Sequence, residues 1–114
     1  MPRSEFAFSE YRGMWLFAMF DLPVKTKEEK REYVRFRNLL LDEGFSQLQY
    51  SIYARYCGND AQTETYRRRL RLRLPCDGHV RLLSVTDRQF GKMETFRGAK
   101  RAETEEKPNQ LQLF

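Results

Sequence analysis

The sequence has no long apolar run. Its longest, Met14 to Phe20, contains seven residues, whereas a membrane-spanning helix needs about 20. The first thirteen residues mix charged and aromatic side chains, which is not typical of a signal peptide. We therefore expect a cytoplasmic protein with no membrane partner.

Cysteine and histidine are also scarce. Cys57 and Cys76 are the only two cysteines and form no close metal-binding pair. We expect two buried thiols in a reducing cytosol, although the sequence leaves a disulfide between them open. The one histidine, His79, opens a predicted strand. A lone histidine in that position is more often structural than catalytic.

The chain is basic to a moderate degree. Its 114 residues are enough for one domain with a modest core, and 21 basic residues against 16 acidic ones give a net charge of +5. Residues 67 to 73 contain five arginines and no acid. Arginine presents a planar fork of donors that suits phosphate. On charge alone, a solvated helix face explains the cluster at least as well.

The segment from Met14 to Pro23 is the centre of the predicted fold. Its aromatic content and terminal proline predict a strand rather than a helix. Alternation places one set of side chains on one face (Trp15, Phe17, Met19 and Asp21) and the other set on the opposite face (Leu16, Ala18, Phe20 and Leu22). Because both faces are apolar, this strand should be central and covered on both sides.

Asp21 interrupts this apolar pattern at the end of the strand. An ionised carboxylate beside apolar surface needs a cation, backbone N–H groups or water. Asp21 either caps the turn that begins at Pro23 or binds a metal ion. The pattern alone leaves both interpretations open.

The next segments alternate between the helical period of about 3.6 residues and the strand period of two residues. Thr26 and Glu29 form a capping-box signature for a helix that runs to about Glu43 and is ended by Gly44. Its predicted buried stripe comprises Tyr33, Phe36 and Leu40, with Leu39 and Leu41 beside them. Residues Phe45 to Tyr56 then alternate as one strand with an apolar and a semi-polar face, the latter containing Tyr53.

The second half of the chain predicts one helix and two strands. Residues 60 to 74 fit a helix or a strand, and the Asn59 cap and Pro75 favour the helix. Strands are predicted at Val80–Thr86 and at Lys92–Phe96, joined by a hairpin at 87–91. The order is strand, helix, strand, helix, strand, strand. We predict an α+β, ferredoxin-like sandwich of the βαββαβ type, with two helices on one face of a four-stranded antiparallel sheet.

The domain prediction has four parts. Residues 1–13 form an N-terminal extension, 14–97 the ferredoxin-like domain, 98–107 a charged linker and 108–114 a C-terminal strand. That strand either frays or pairs with the sheet of a partner subunit. The uncovered sheet face predicts a homodimer with stacked sheets, in which two copies of Asp21 share a groove. Two such carboxylates suit Mg²⁺ (or Mn²⁺).

Several of these segments resemble a known family. The stretches Met14–Pro23, Phe36–Leu40, Gly44–Phe45, Gln49–Tyr53 and Gln110–Phe114 are similar to the CRISPR-associated protein two family, in the branch found beside single-protein effectors. The similarity spans roughly residues 14 to 114, and the N-terminal extension departs from it. The resemblance implies a dimer that bridges CRISPR integrase subunits and holds duplex DNA during spacer acquisition. It also implies that Leu111 and Leu113 in the tail dock the partner.

The resemblance further implies a metal-dependent endoribonuclease or endodeoxyribonuclease, with Asp21 as the metal ligand and catalytic residue. No second acid or dedicated general base is evident, so the residues leave catalysis open. For the nucleic-acid backbone we predict contacts from six cations: Lys25, Lys27, Arg31, Arg67, Arg68 and Arg71. The alternative is a ferredoxin-like nucleic-acid-binding module without a nuclease or CRISPR role. The sequence lacks the pair of aromatic residues flanked by basic residues that marks base stacking in such modules.

Overall fold

The computed structural model describes residues 13–108. Its first six elements follow the order βαββαβ, and three short elements come after them. They are β1 (Met14–Asp21), α1 (Lys27–Asp42), β2 (Ser46–Gln49), β3 (Ile52–Cys57), α2 (Asp60–Arg71), β4 (His79–Thr86), α3 (Asp87–Gly91), β5 (Thr95–Arg97) and β6 (Lys100–Ala102). None of the helices in this range is long and apolar enough to cross a membrane.

The main sheet has the order β2-β3-β1-β4, and every neighbouring pair is antiparallel. Strand β1 is central, as its two apolar faces predicted. It pairs with β3 along Met14 to Met19, and with β4 along its whole length to Asp21. The α+β, ferredoxin-like prediction is confirmed.

One face of the sheet is covered by α1 and α2. Leu16, Ala18 and Phe20 of β1 are buried there against Phe36 and Leu40 of α1. The capping box of Thr26 and Glu29 is present at the start of α1. The predicted burial of Leu41 is wrong, because one further helical step of about 100° from Leu40 turns this side chain toward solvent.

The segment predicted as one strand from Phe45 to Tyr56 is a hairpin of β2 and β3. The chain turns at Tyr50 and Ser51, where Ser51 has φ +64°. The placement of Tyr53 on a semi-polar face is also wrong. Tyr53 is fully buried, its ring lies 5.7 Å from that of Phe20, and its hydroxyl accepts a 3.0 Å hydrogen bond from Nε of Arg37.

The C-terminal elements differ from the prediction as well. Residues 87–91 form α3 rather than a hairpin, since Thr86 and Gln89 make a capping box that starts a short helix. Strand β5 pairs with β6 in a separate two-stranded sheet and does not extend the main one. The stretch 98–107, expected to be a linker, therefore contains β6. Helix α2 ends at Arg71, three residues before Leu74.

Within residues 13–108, β5 and β6 leave a cavity along one end of the rear face, the face turned away from α1 and α2, and the other end is closely covered. There Phe90 of α3 stacks on Trp15 with 3.9 Å between ring centroids, and the indole Nε1 donates a 2.8 Å hydrogen bond to Asp87. At the other end Phe17 and Met19 are only half-buried, and Leu83 is 49% exposed. A second subunit was expected to cover all of this face, but the chain covers the Trp15 end itself.

Candidate functional site

Asp21 lies at the open end of the rear face. It is the last residue of β1 and stands opposite His79, the first residue of β4. The side chain is 79% exposed, yet its Oδ1 accepts a 3.0 Å hydrogen bond from the His79 backbone N–H and lies 3.2 Å from Nδ1 of the ring. The described contacts of Asp21 thus run across the sheet to β4.

The turn after β1 is held by a different carboxylate. Oε1 of Glu29 accepts hydrogen bonds of 2.9 Å from the backbone N–H groups of Lys25 and Thr26. The bond from the Thr26 amide, followed by that from the Lys25 amide, holds the pKa of Glu29 below its usual range. Because Glu29 closes this turn, the Asp21 carboxylate is left for other partners.

Gly78 fixes the approach of β4 to Asp21. It has φ +86°, a conformation that side-chain-bearing residues rarely adopt, and a Cβ atom there would collide with the backbone carbonyl oxygen of Asp21. The glycine therefore allows the two backbones to touch, and that contact places His79 beside the carboxylate.

Asp21 and His79 border a depression of about 490 Å³. Arg81 of β4 lies two residues beyond His79 on the same face, opposite Met19 in the register. Tyr50 and Ser51 of the β2–β3 turn line the far side. A 3.0 Å hydrogen bond from the Phe20 N–H to the Ser51 carbonyl ties this turn to β1.

Sequence reasoning missed three of these residues. His79 was assigned a structural role, Arg81 was not singled out, and Tyr50 was placed inside a continuous strand. The antiparallel register of β1 and β4, which sets the end of one strand against the start of the other, is the signal that connects Asp21 with His79. The sequence pattern of one β-strand does not specify how that strand is aligned with its neighbour.

The donor set at Asp21 suits a hard divalent cation but is incomplete in one protomer. Over residues 13–108, no group of three or more His, Cys, Asp or Glu side chains is close enough to hold a metal ion. Mg²⁺ usually binds one or two carboxylates and completes its shell with water and substrate phosphate. Asp21 fits that pattern if a second copy of the chain or a phosphate supplies further oxygens.

None of the six predicted backbone-binding cations lines this depression. Lys25, Lys27, Arg31 and Arg68 are exposed. Arg67 instead turns to the sheet and donates to Oγ of Ser84, and Arg71 forms a 2.6 Å ion pair with Glu64. The basic residue that lines the depression is Arg81. Leu111 and Leu113 lie outside the described residues.

Burial is the largest cause of a raised pKa at two further groups, Cys57 and Tyr33. Burial raises the pKa of the Cys57 thiol, whereas Cys76 is exposed, so the expectation of two buried thiols is wrong for Cys76; both are free. Burial, followed by a hydrogen bond with Tyr50, raises the pKa of Tyr33. Tyr33 therefore keeps its proton at neutral pH beside the turn that borders the depression.

The βαββαβ order, the antiparallel sheet and the carboxylate at the end of its central strand define a small ferredoxin-like domain. The model of the family described as CRISPR associated protein Cas2 matches residues 14–93. This chain belongs to that family, as its sequence resemblance implied.

Similar proteins span nearly the whole chain. The CRISPR-associated endoribonuclease Cas2 of Parvibaculum lavamentivorans is 45% identical over 101 residues, covering 89% of this chain and 100% of the relative. The protein of the same description from Flavobacterium psychrophilum is 42% identical over 106 residues, or 93% and 92% of the two chains. CRISPR-associated endoribonuclease Cas2 2 of Rhodospirillum rubrum is 44% identical over 108 residues, or 91% and 96%. The alternative of a module with no CRISPR role is therefore wrong.

Proposed function

We propose that the chain acts in CRISPR spacer acquisition as a homodimer that bridges integrase subunits, holds duplex DNA by its backbone, and hydrolyses phosphodiesters with a divalent metal at paired Asp21 carboxylates. One observation carries this proposal: an incompletely covered apolar sheet face leads directly to an exposed carboxylate. The proposed substrate of hydrolysis is RNA or DNA.

The open part of the rear face supports the homodimer. Phe17, Met19, Leu48 and Ile52 are half-buried and Leu83 is more exposed. They line a cavity of about 550 Å³ that residues of β5 and β6 border on another side. Stacking two such faces about a twofold axis would remove this apolar surface from water. Since Asp21 ends the same face, the twofold axis would place both carboxylates along one groove.

The proposed chemistry uses the residues at the end of β1. Asp21 would hold Mg²⁺ or Mn²⁺, which supplies a more acidic bound water and stabilises charge on the phosphate. His79 engages Oδ1 of Asp21, and this contact would orient the carboxylate and leave Oδ2 to bind the metal ion. The names of the relatives, which describe endoribonucleases, support hydrolysis of RNA.

The exposed cations support the scaffold role. Lys25, Lys27, Arg31 and Arg68 project from the turn after β1 and from the two long helices. Contacts from such residues to phosphates hold a duplex without reading its sequence. Loss of hydrolysis need not impair this role, because these cations lie outside the Asp21 depression.

The homodimer is tested by placing a charge on the rear face. Leu83→Glu should shift sedimentation from dimer to monomer, because the dimer would bury an unpaired carboxylate. Leu72→Glu is the matched control, since Leu72 is 80% exposed beyond the end of α2. A Leu83→Glu protein that remains dimeric would rule out this face as the interface.

Hydrolysis is tested with Asp21→Asn, which keeps an oxygen able to accept the His79 N–H. Cleavage of RNA and DNA should require Mg²⁺ or Mn²⁺, stop with a chelator and be lost in the variant, while sedimentation still shows a dimer. Spacer integration with the partner integrase should remain. Metal-independent cleavage, or full cleavage by Asp21→Asn, would refute the catalytic role of Asp21.

The duplex-binding surface is tested by charge reversal. Replacing Lys25, Lys27 and Arg68 by Glu should weaken duplex binding and reduce the salt slope of log K by about 0.9 for each phosphate that is no longer neutralised. Lys92→Glu, an exposed charge change outside the candidate set, is the control. An unchanged affinity and slope in the triple variant would remove these residues from the interface.

A further inference from the structure

We propose that the depression beside Asp21 is a binding subsite for one unpaired nucleotide, in which the Tyr50 ring supports the base and Arg81 binds a phosphate. This inference rests on the proposed function, because it identifies what the Asp21 site holds. It adds two binding residues that lie outside the six predicted cations.

Tyr50 is an aromatic residue held in an exposed position. Its side chain is 76% exposed, although a ring of this size gains free energy from burial. One side of the ring lies near Tyr33, with 6.4 Å between centroids and 24° between planes. The remaining surface of the ring is left for a ligand.

The turn that carries Tyr50 is tightly constrained. Ser51 adopts φ +64°, which is uncommon outside glycine and persists only where surrounding contacts enforce it. The Ser51 carbonyl accepts the hydrogen bond from the Phe20 N–H, one residue before Asp21. The position of Tyr50 is therefore fixed relative to the carboxylate, so a base on the ring would sit at a defined place beside it.

Arg81 carries a positive charge that forms no ion pair with a carboxylate of residues 13–108. Over residues 13–108, Arg35, Arg69, Arg71 and Arg101 each form an ion pair with a glutamate, whereas no ion pair or hydrogen bond is described for Arg81. A guanidinium with its donors free is suited to bind phosphate oxygens in a bidentate manner. Arg81 lines the same depression as Tyr50 and Asp21.

The combination favours an unpaired nucleotide over a duplex. An aromatic platform stacks any base whose face is free, and in a duplex those faces are already stacked on neighbouring bases. The depression also falls within the usual 300–1,000 Å³ of small-ligand pockets. The depression thus combines the Tyr50 ring for a base, the Arg81 guanidinium for a phosphate and the Asp21 carboxylate in a space of suitable size.

Binding without metal provides the test, because cleavage is then absent. Fluorescence anisotropy in chelator compares a labelled single strand with the corresponding duplex. Tyr50→Ala should weaken single-strand binding by about 5- to 150-fold, the equivalent of one base stack, whereas Tyr50→Phe should retain it. Duplex binding should be unchanged in both variants. Phe96→Ala, which removes an exposed ring elsewhere, is the control.

Arg81→Ala should lower the single-strand salt slope by about 0.7, with Arg97→Ala as the control. Equal losses for single strand and duplex would overturn the subsite, as would no single-strand binding by the wild-type protein. Dissociation of the dimer by Tyr50→Ala would instead assign this ring to the contact between protomers. If duplex binding and Asp21-dependent cleavage persist in these cases, only the subsite fails.

Discussion

The two faces of the sheet differ in how they are covered. On the helix face, Leu16, Phe36 and Tyr53 are fully buried in one continuous core. On the rear face, burial declines along β1 from Trp15, beneath Phe90, to the exposed carboxylate of Asp21. One strand thus contributes to a closed core on one side and to an open surface on the other.

The difference separates stability from binding within a small domain. A central strand buried by two helices provides a rigid support, and residues 13–108 leave room for a partner and a ligand at one end of its other face. The proposed function requires this division. Substitutions on the helix face should affect folding, and those at the open end should affect association and chemistry.

The largest expected effect is on the helix face. Phe36→Ala should lower the free energy of unfolding by about 3–5 kcal/mol, because it removes a fully buried ring from the core. Phe96→Ala removes an equal ring that is 56% exposed and should cost less than about 1 kcal/mol. Urea unfolding at one protein concentration measures both. Similar losses would mean that Phe36 does not lie in a closed core on the helix face.

A backbone change at the open end should have the next largest effect. Gly78→Ala and Gly98→Ala both place a side chain at positive φ, which costs about 1–2 kcal/mol. Only at Gly78 does the new Cβ meet the Asp21 carbonyl, so Gly78→Ala should cost more than Gly98→Ala and should disrupt the contact of Asp21 with His79. Thermal unfolding and the NMR signals of the His79 ring test this. Equal stabilities would show that the turn relaxes.

A side-chain change at the open end should affect metal binding more than folding. His79→Ala should weaken Mn²⁺ binding by about 10- to 100-fold, the usual result of losing a partner that orients a ligand. His79→Asn should restore much of the binding, because its amide N–H can replace Nδ1 as a donor to Asp21. Titration calorimetry with Mn²⁺ measures both variants. An Asn variant as weak as the Ala variant would exclude an orienting role for Nδ1.

The smallest expected effect concerns a thiol on the helix face. The folded protein should show one rapidly reacting thiol, Cys76, and Cys57 should react only on unfolding. Burial raises the pKa of Cys57, so the folded state retains a proton that the unfolded state releases. Stability should therefore fall as pH rises above about 8.5, the ordinary pKa of a free thiol.

Thiol titration and pH-dependent unfolding of Cys76→Ser check this prediction. The variant lacks the exposed thiol and should show no rapid reaction, while the decline in stability at high pH remains. Rapid labelling of Cys57 in the folded variant would contradict a closed core on the helix face.

The sequence predicted elements whose signals are local. The alternation of Met14 to Asp21 identified the central strand and both of its faces, and Thr26 with Glu29 located the start of α1. The turn at Tyr50 and Ser51 was missed because it contains no Gly, Pro or Asn and the alternation continues through it. Helix α3 was missed although its capping residues, Thr86 and Gln89, are visible in the sequence.

The candidate site was predicted only in part. The position of Asp21 at the end of β1 follows from one segment. Its neighbours His79 and Arg81 come from β4, 58 or more residues away, and depend on strand register. Register is determined by the packing of the whole sheet and by the close approach at Gly78, which the local sequence does not express.

Because β1 is hydrogen-bonded to a strand on each side, its position also determines the order in which parts of the molecule unfold locally. Its amides should be among the slowest to exchange with deuterium, whereas the short edge strand β2 and the hairpin of β5 and β6 should open first. Asp21 is attached to the element that opens last. Local opening at the edge of the molecule can therefore admit or release a nucleic acid while the Asp21 carboxylate keeps its position.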